Sequence, residues 1–301
     1  MKPIAVVKPG AVMKLGTVMN SGAVVKTGAV VKTGAVMKTG AVMNSGGIVA
    51  KTMRLTARCG LLLALGLVGC VNQQQLAKDN ETAKARARAH TDLGAMYFQQ
   101  KQLGIALEEF NEAARIDPSF GLAYNGLGLV HAALGQDDIA DANFKKAIMI
   151  EPNNSESHNN YGGFLCGRNR IDESIKQFLA AVKNPLYATP AIAYINAGIC
   201  SLRKQDEANA EIYLQKALQL EPLSNVAAYQ LASLQFKRND ATAAKISLQN
   251  VMLRQPRPDM LWLAIKIARA LADKDAEASY ALQLRRQYPD SEQAKLLQSE
   301  K

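Results

Sequence analysis

From residue 1 to residue 69 the chain has no aspartate or glutamate, and from 1 to 52 it also lacks any aromatic side chain. A segment this poor in large side chains has little with which to build a packed core. The 301 residues hold only 3 histidines and 4 cysteines, with no Cys-x-x-Cys pair and the histidines scattered, which excludes a zinc site of the usual spacing. There is no glycine loop to cradle a phosphate, no Gly-x-Ser-x-Gly, and no histidine set with a nucleophile in a recurring pattern. The sequence therefore reads as that of a protein that is not an enzyme, with no cofactor, no metal and no small-molecule substrate. No apolar run reaches the ~20 residues that a membrane-spanning helix needs.

The formal net charge of +10 comes from the acid-free stretch. Residues 1–69 carry nine Lys or Arg, and without them 27 bases face 26 acids, so the remainder is near neutral. Nothing in that balance calls for nucleic acid as a partner, which would want a basic face and base-contact motifs.

What is present falls into three parts. Residues 1–52 repeat at a period of six, with Gly10, Gly16, Gly22, Gly28, Gly34, Gly40 and Gly46 heading units such as Gly-Ala-Val-Val-Lys-Thr. A hexapeptide β-helix repeats at six, but seven hexads make little more than two coils. The segment reads instead as a low-complexity extension, disordered or lying before a true start at Met53. Residues 53–69 then have the build of an export signal: basic Arg54 and Arg58, an apolar stretch from Cys59 to Val68, and small residues at its end. The tetrad Leu67, Val68, Gly69 and Cys70 resembles the lipobox of bacterial lipoproteins. That resemblance makes Cys70 the lipid attachment point, tethers the protein to a membrane through acyl chains, and leaves 70–86 as a linker. Val71 rather than Asp follows, which by the same resemblance favours the outer membrane.

From Ala87 the chain repeats at about 34 residues in a code of small and large side chains. The first unit places Leu93, Gly94, Tyr97, Ala106, Phe110, Ala113 and Pro118; the second repeats this with Tyr124, Leu127, Gly128, Ala140, Phe144, Ala147 and Pro152. The third carries Tyr161, Gly162, Leu165, Phe178 and Ala181, with Ser174 where alanine is usual. After a two-residue insertion between Pro185 and Pro190 come Tyr194, Gly198, Ala210, Leu214, Ala217 and Pro222, then Leu231, Ala232, Ala244, Leu248 and Pro256. A degenerate sixth unit holds Trp262, Ile265, Ala278 and Leu282. The pattern resembles the tetratricopeptide repeat. It implies an all-α superhelix of about six helix-turn-helix units (87–120, 121–154, 155–190, 191–224, 225–258, 259–292), with 293–301 as the tail of a capping helix that Asp290 or Ser291 could N-cap.

In such a stack the first helix of each unit lines the concave side. Phe98, Phe120, Leu122, Asn125, Leu129, Ile192, Tyr229 and Phe236, with Ile195 and Leu202, are the expected lining of a groove for an amphipathic helix or an extended peptide. The Lys, Asn and Arg clamp of chaperone-binding relatives is missing, since Thr91, Ala95, Glu156 and Asn160 stand at its places. Cys166 and Cys200 lie on neighbouring first helices, where a disulfide is plausible in an oxidising compartment and two buried free thiols are the alternative. His90, His131 and His158 read as packing residues.

The stretch Asn159 to Cys166, followed by Asn184-Pro185-Leu186-Tyr187 and then Asn196 to Cys200, resembles the PilF/PilW family of type IV pilus biogenesis lipoproteins. The resemblance covers residues 53–292 and implies an outer-membrane lipoprotein on the periplasmic face. By that resemblance it binds a pilus-assembly partner, expected to be the secretin, and promotes its localisation and multimerisation. The alternative is a periplasmic scaffold lipoprotein serving other envelope assembly. A hydrolase would need a polar catalytic cluster, and none is found.

Overall fold

The computed structural model describes residues 76–254 and 256–300, and the regular structure among them is helical throughout. The expectations for residues 1–52, the signal at 53–69, Cys70 and the start of the linker lie outside the described residues. Among the described residues no helix is long and apolar enough to cross a membrane.

Residues 76–99 form α1, so the later part of the expected linker is helical. From Arg86 onward the chain forms one compact unit. It contains α2 (Leu103–Ile116), α3 (Gly121–Ala133), α4 (Asp137–Ile150), α5 (Ser155–Gly167), α6 (Ile171–Ala181), α7 (Pro190–Arg203), α8 (Glu207–Leu220), α9 (Asn225–Lys237), α10 (Ala241–Met252), α11 (Pro258–Ala270), α12 (Lys274–Gln287) and α13 (Glu292–Ser299). Each odd-numbered helix from α3 to α11 packs on the even-numbered helix after it, and each even-numbered helix from α2 to α10 packs on the next odd one. The odd helices α3, α5, α7, α9 and α11 also touch one another in series, a row of contacts the even helices do not match, which makes the odd row the inner side. α13 packs against α11 and α12.

The two rows are composed differently because they are buried differently. The even helices each bury one stripe at four- and three-residue steps, such as Ala106, Phe110 and Ala113 in α2 or Ala140, Phe144 and Ala147 in α4. The odd helices are covered on two sides, and α3 buries every residue from Ala123 to Val130. Close approach within a pair depends on glycine: a Cβ on Gly128 would stand 2.8 Å from a ring carbon of Phe144, and one on Gly162 would stand 2.7 Å from Phe178. Ser174, the departure from alanine in the third unit, is fully buried and donates its hydroxyl to the Gly162 carbonyl at 2.7 Å.

The turns inside the pairs share one geometry that the sequence does not advertise. Lys101, Gly135, Asn169, Gln205, Asn239 and Ala272 all have positive φ, between 55° and 75°, and only one of them is glycine. The amide after each reaches back five residues, as from Gln136 to the His131 carbonyl at 2.9 Å, which is the Schellman closure that satisfies the end of a helix. The same following residue then starts the next helix. Asp206, Asp240 and Asp273 cap α8, α10 and α12 by accepting from the amides of Asn209, Ala243 and Ala276. Ser291 caps α13 in the same way, accepting from Ala294 at 3.1 Å.

The last pair corrects one sequence expectation. Ala278 and Leu282 are exposed, Leu282 at 66%, while Ala281 and Leu284 are buried. Ala272 follows Asn239 by 33 residues, one fewer than the 34 between Gln205 and Asn239. That deletion advances α12 by one residue and turns a different stripe inward. The third-to-fourth insertion lies at 182–189, where Leu186 is 88% exposed.

Candidate partner-binding face

The expected lining residues divide by exposure. Leu122, Ile192, Tyr229 and Phe236 are half-buried on the inner row, as is Leu202, and Phe98 of α1 is half-buried against the cluster that holds Leu129 and Tyr161. Phe120, Asn125 and Leu129, and likewise Ile195, are buried in the helix packing and present almost no surface. Phe120 joins Ala87, Ala113 and Ala123 between pairs, and Leu129 packs with Phe144, Tyr161 and Phe164. The spacing places all of them on first helices except Phe120, the residue that precedes α3, but neighbouring pairs close over the larger inward side chains, which spacing alone does not reveal.

Beneath this surface runs a ladder of buried amides. Asn160 donates to Asn125 at 3.3 Å, and Asn196 donates to Asn159 at 3.2 Å, tying α5 to α3 and to α7. The Asn196 carbonyl oxygen is buried and has no donor among the described residues. At the start of α5, burial raises the Glu156 carboxyl above its ordinary pKa, and the nearby charge of Asp92 adds to the effect. Tyr187, in the insertion, is raised by burial too, with Glu156 contributing.

Cys166 and Cys200 form a disulfide between α5 and α7, with their Cα atoms 5.9 Å apart. Arg203 donates to the Cys166 carbonyl at 2.7 Å across the same joint. The histidines tie helices of a pair or turn together: His90 to Glu109 at 2.7 Å, His158 to Gln177 at 2.6 Å and the Pro152 carbonyl at 2.9 Å, and His131 to Gln136 at 2.6 Å. Between the second and third pairs, Asp141 of α4 is pushed up by burial but more strongly held down by hydrogen bonds from Lys145, Tyr161 and Arg170. Among the described residues no group of three or more His, Cys, Asp or Glu is placed to hold a metal.

At the far end of the inner row a cleft of about 360 Å³ opens between α9 and α11, with α13 at its edge. Tyr229, Phe236 and Trp262 wall it, and Lys266 and Gln293 line it. Trp262, Lys266 and Gln293 were not among the expected lining residues. Tyr229 and Phe236, expected as lining, pointed to this end of the row, and Trp262, the chain's single tryptophan, stands beside them.

A family model described as TPR repeat matches residues 94–135, and one described as tetratricopeptide repeat matches 122–154 and 191–222. The type IV pilus assembly protein PilF of Pseudomonas aeruginosa is 32% identical over 254 residues, spanning 82% of this chain and 100% of that protein. Among solved structures, that of Pseudomonas aeruginosa pilF matches at TM-score 0.63 and 30% identity, covering 73% of this chain and 100% of its own. The structure of PilW, reported as a widely conserved type IV pilus biogenesis factor, matches at TM-score 0.59 and 32% identity, covering 70% and 97%.

Proposed function

We propose a function from one premise: this chain belongs to the PilF/PilW family of tetratricopeptide-repeat proteins of type IV pilus biogenesis. In this reading it is a scaffold of six helical hairpins over residues 87–292, capped by the tail helix, that acts by binding and without turnover. The inner row holds a segment of a pilus-assembly protein, and the secretin is the partner. Cys70 carries the acyl chains that place the protein at the periplasmic face of the outer membrane, and the secretin subunit travels there with it and multimerises.

The observation that carries the reading is the row of half-buried apolar side chains, Leu122, Ile192, Tyr229 and Phe236, along one side of a chain matched over the full length of its pilus relative. Half-buried apolar groups keep area that a partner can remove from water, at about 25 cal/mol per Å². Two variants test it. Cys70→Ser should leave secretin subunits monomeric and misplaced, and normal multimers in that strain would count against the anchor. Leu122→Glu with Ile192→Glu should abolish co-purification of the secretin with the detergent-extracted protein while the helical melt persists; undiminished co-purification would count against the inner row.

A further inference from the structure

The cleft between α9 and α11 is lined by two cations and a carboxylate, Lys237, Lys266 and Asp259. Around it, most cations are already paired. Arg257 holds Asp259 at 2.7 Å, Lys237 holds Glu207 at 2.7 Å, and Arg269, beside Trp262, holds Glu277 at 2.6 Å and Glu300 at 2.5 Å. Lys266 is the exception. Its ammonium lies 5.7 Å from the centre of the Phe236 ring, half-buried in the cleft wall, and no described carboxylate pairs with it. Asp259 also lines the cleft, but Arg257 already neutralises it. The volume, about 360 Å³, suits a short peptide stretch better than an ion.

We propose that this cleft anchors the bound polypeptide through an aspartate or glutamate side chain flanked by a large apolar residue, the carboxylate meeting Lys266 and the apolar group stacking among Tyr229, Phe236 and Trp262. The ammonium of Lys266 sits half-buried beside the rings of the cleft, where a carboxylate meets it at a lower local dielectric than in bulk water. An ammonium over a ring already gains from the ring face, so the carboxylate adds to an arrangement that is in place before binding. Because Tyr229 and Phe236 belong to the same inner row as Ile192, the segment runs through the cleft, and the acid is a side chain within it.

This inference rests on the inner-row reading above, and its test is separable from it. Trp262 is the only tryptophan, so its emission reports the cleft without a label. The full chain in detergent micelles is titrated with an N-acetylated, C-amidated hexapeptide of sequence Ser-Leu-Phe-Asp-Leu-Ser and with its Asn-for-Asp counterpart. The acidic peptide should shift Trp262 emission saturably, bind at least about tenfold tighter than the neutral one, and weaken with salt. Lys266→Gln should erase the preference, and Lys266→Glu should transfer it to a Lys-for-Asp peptide, with the thermal melt unchanged in both. Equal binding of the acidic and neutral peptides, no response at Trp262, or a preference that survives Lys266→Gln overturns the proposal. So does Lys266-dependent binding seen only when the neutral peptide has a free C-terminus, which would make the cleft a chain-end site. If the peptide response holds while secretin co-purification ignores Leu122→Glu and Ile192→Glu, the inner-row reading fails alone; the converse sinks the cleft alone.

Discussion

Two glycine-to-alanine substitutions should have opposite signs, and the neighbours of each glycine decide which. At Gly128 in α3 an added Cβ would stand 2.8 Å from Cδ1 of Phe144 and 2.9 Å from Cε1 and Cγ. Phe144 is fully buried, with the rings of Tyr161 and Phe164 centred 5.5 and 5.4 Å away, so the ring has no free direction in which to retreat. Overpacking of this kind costs about 1–3 kcal/mol. Alanine returns about 0.5–1 kcal/mol of helix propensity, leaving a net loss of up to roughly 2.5 kcal/mol. At Gly104 in α2, which is exposed, nothing stands within 4 Å of an added Cβ. Only the propensity gain remains, so Gly104→Ala should stabilise by about 0.5–1 kcal/mol. Urea unfolding followed by helical circular dichroism measures both. Adding Phe144→Leu to Gly128→Ala should recover part of the loss, because the smaller side chain clears the new methyl. If Gly128→Ala stabilises as Gly104→Ala does, the close approach of the two rows is wrong.

Ala272 holds φ of +55°, so Ala272→Gly should raise stability by up to about 1 kcal/mol, and a loss in the same urea assay would count against the left-handed turn. Replacing Cys166 and Cys200 with alanine removes a cross-link that closes a loop of 34 residues, and in the chain-entropy model stability should fall by about 3–4 kcal/mol; a melt insensitive to both substitution and reductant would contradict the bond. Burial raises the Glu156 carboxyl in the folded state, so its charge opposes folding at neutral pH. Glu156→Gln should therefore stabilise at pH ~7, and the gain should vanish as pH falls below the unfolded carboxyl value near 4.5, where both states are protonated; a gain that persists in acid would refute this. Asp141 is the reverse case, its folded carboxyl lowered, so the stability it contributes is present above about pH 4 and lost in acid. Asp141→Asn should cost about 1–3 kcal/mol at neutral pH and nothing in acid, as read from melts across that range.

Much of the fold was legible because the repeat code is a packing code. Gly94, Gly128 and Gly162 mark the close approaches, Phe110, Phe144 and Phe178 mark what fills them, and Pro118, Pro152 and Pro222 stand just past the ends of α2, α4 and α8. The last pair, α11 and α12, was misjudged by one residue because its register is set in a turn. A turn's left-handed residue leaves little trace when it is Lys101, Gln205 or Ala272 instead of glycine. The inner face was legible as a row but not residue by residue. Whether an inward side chain keeps exposed surface or is roofed by the next pair depends on crossing geometry, which separates Leu122 from Phe120 and Asn125. Lys266 was invisible for a related reason: it stands out only once Arg257, Lys237 and Arg269 are seen to have taken the carboxylates around it.

The central claim, that the inner row grips a pilus-assembly polypeptide, is tested most directly by photo-crosslinking in cells. A crosslinking residue placed at Leu122 or Ile192 on the inner row should trap the secretin subunit, and one at Met149, 72% exposed on α4, should not. Adducts to the secretin from Met149 and none from the inner positions would contradict the account.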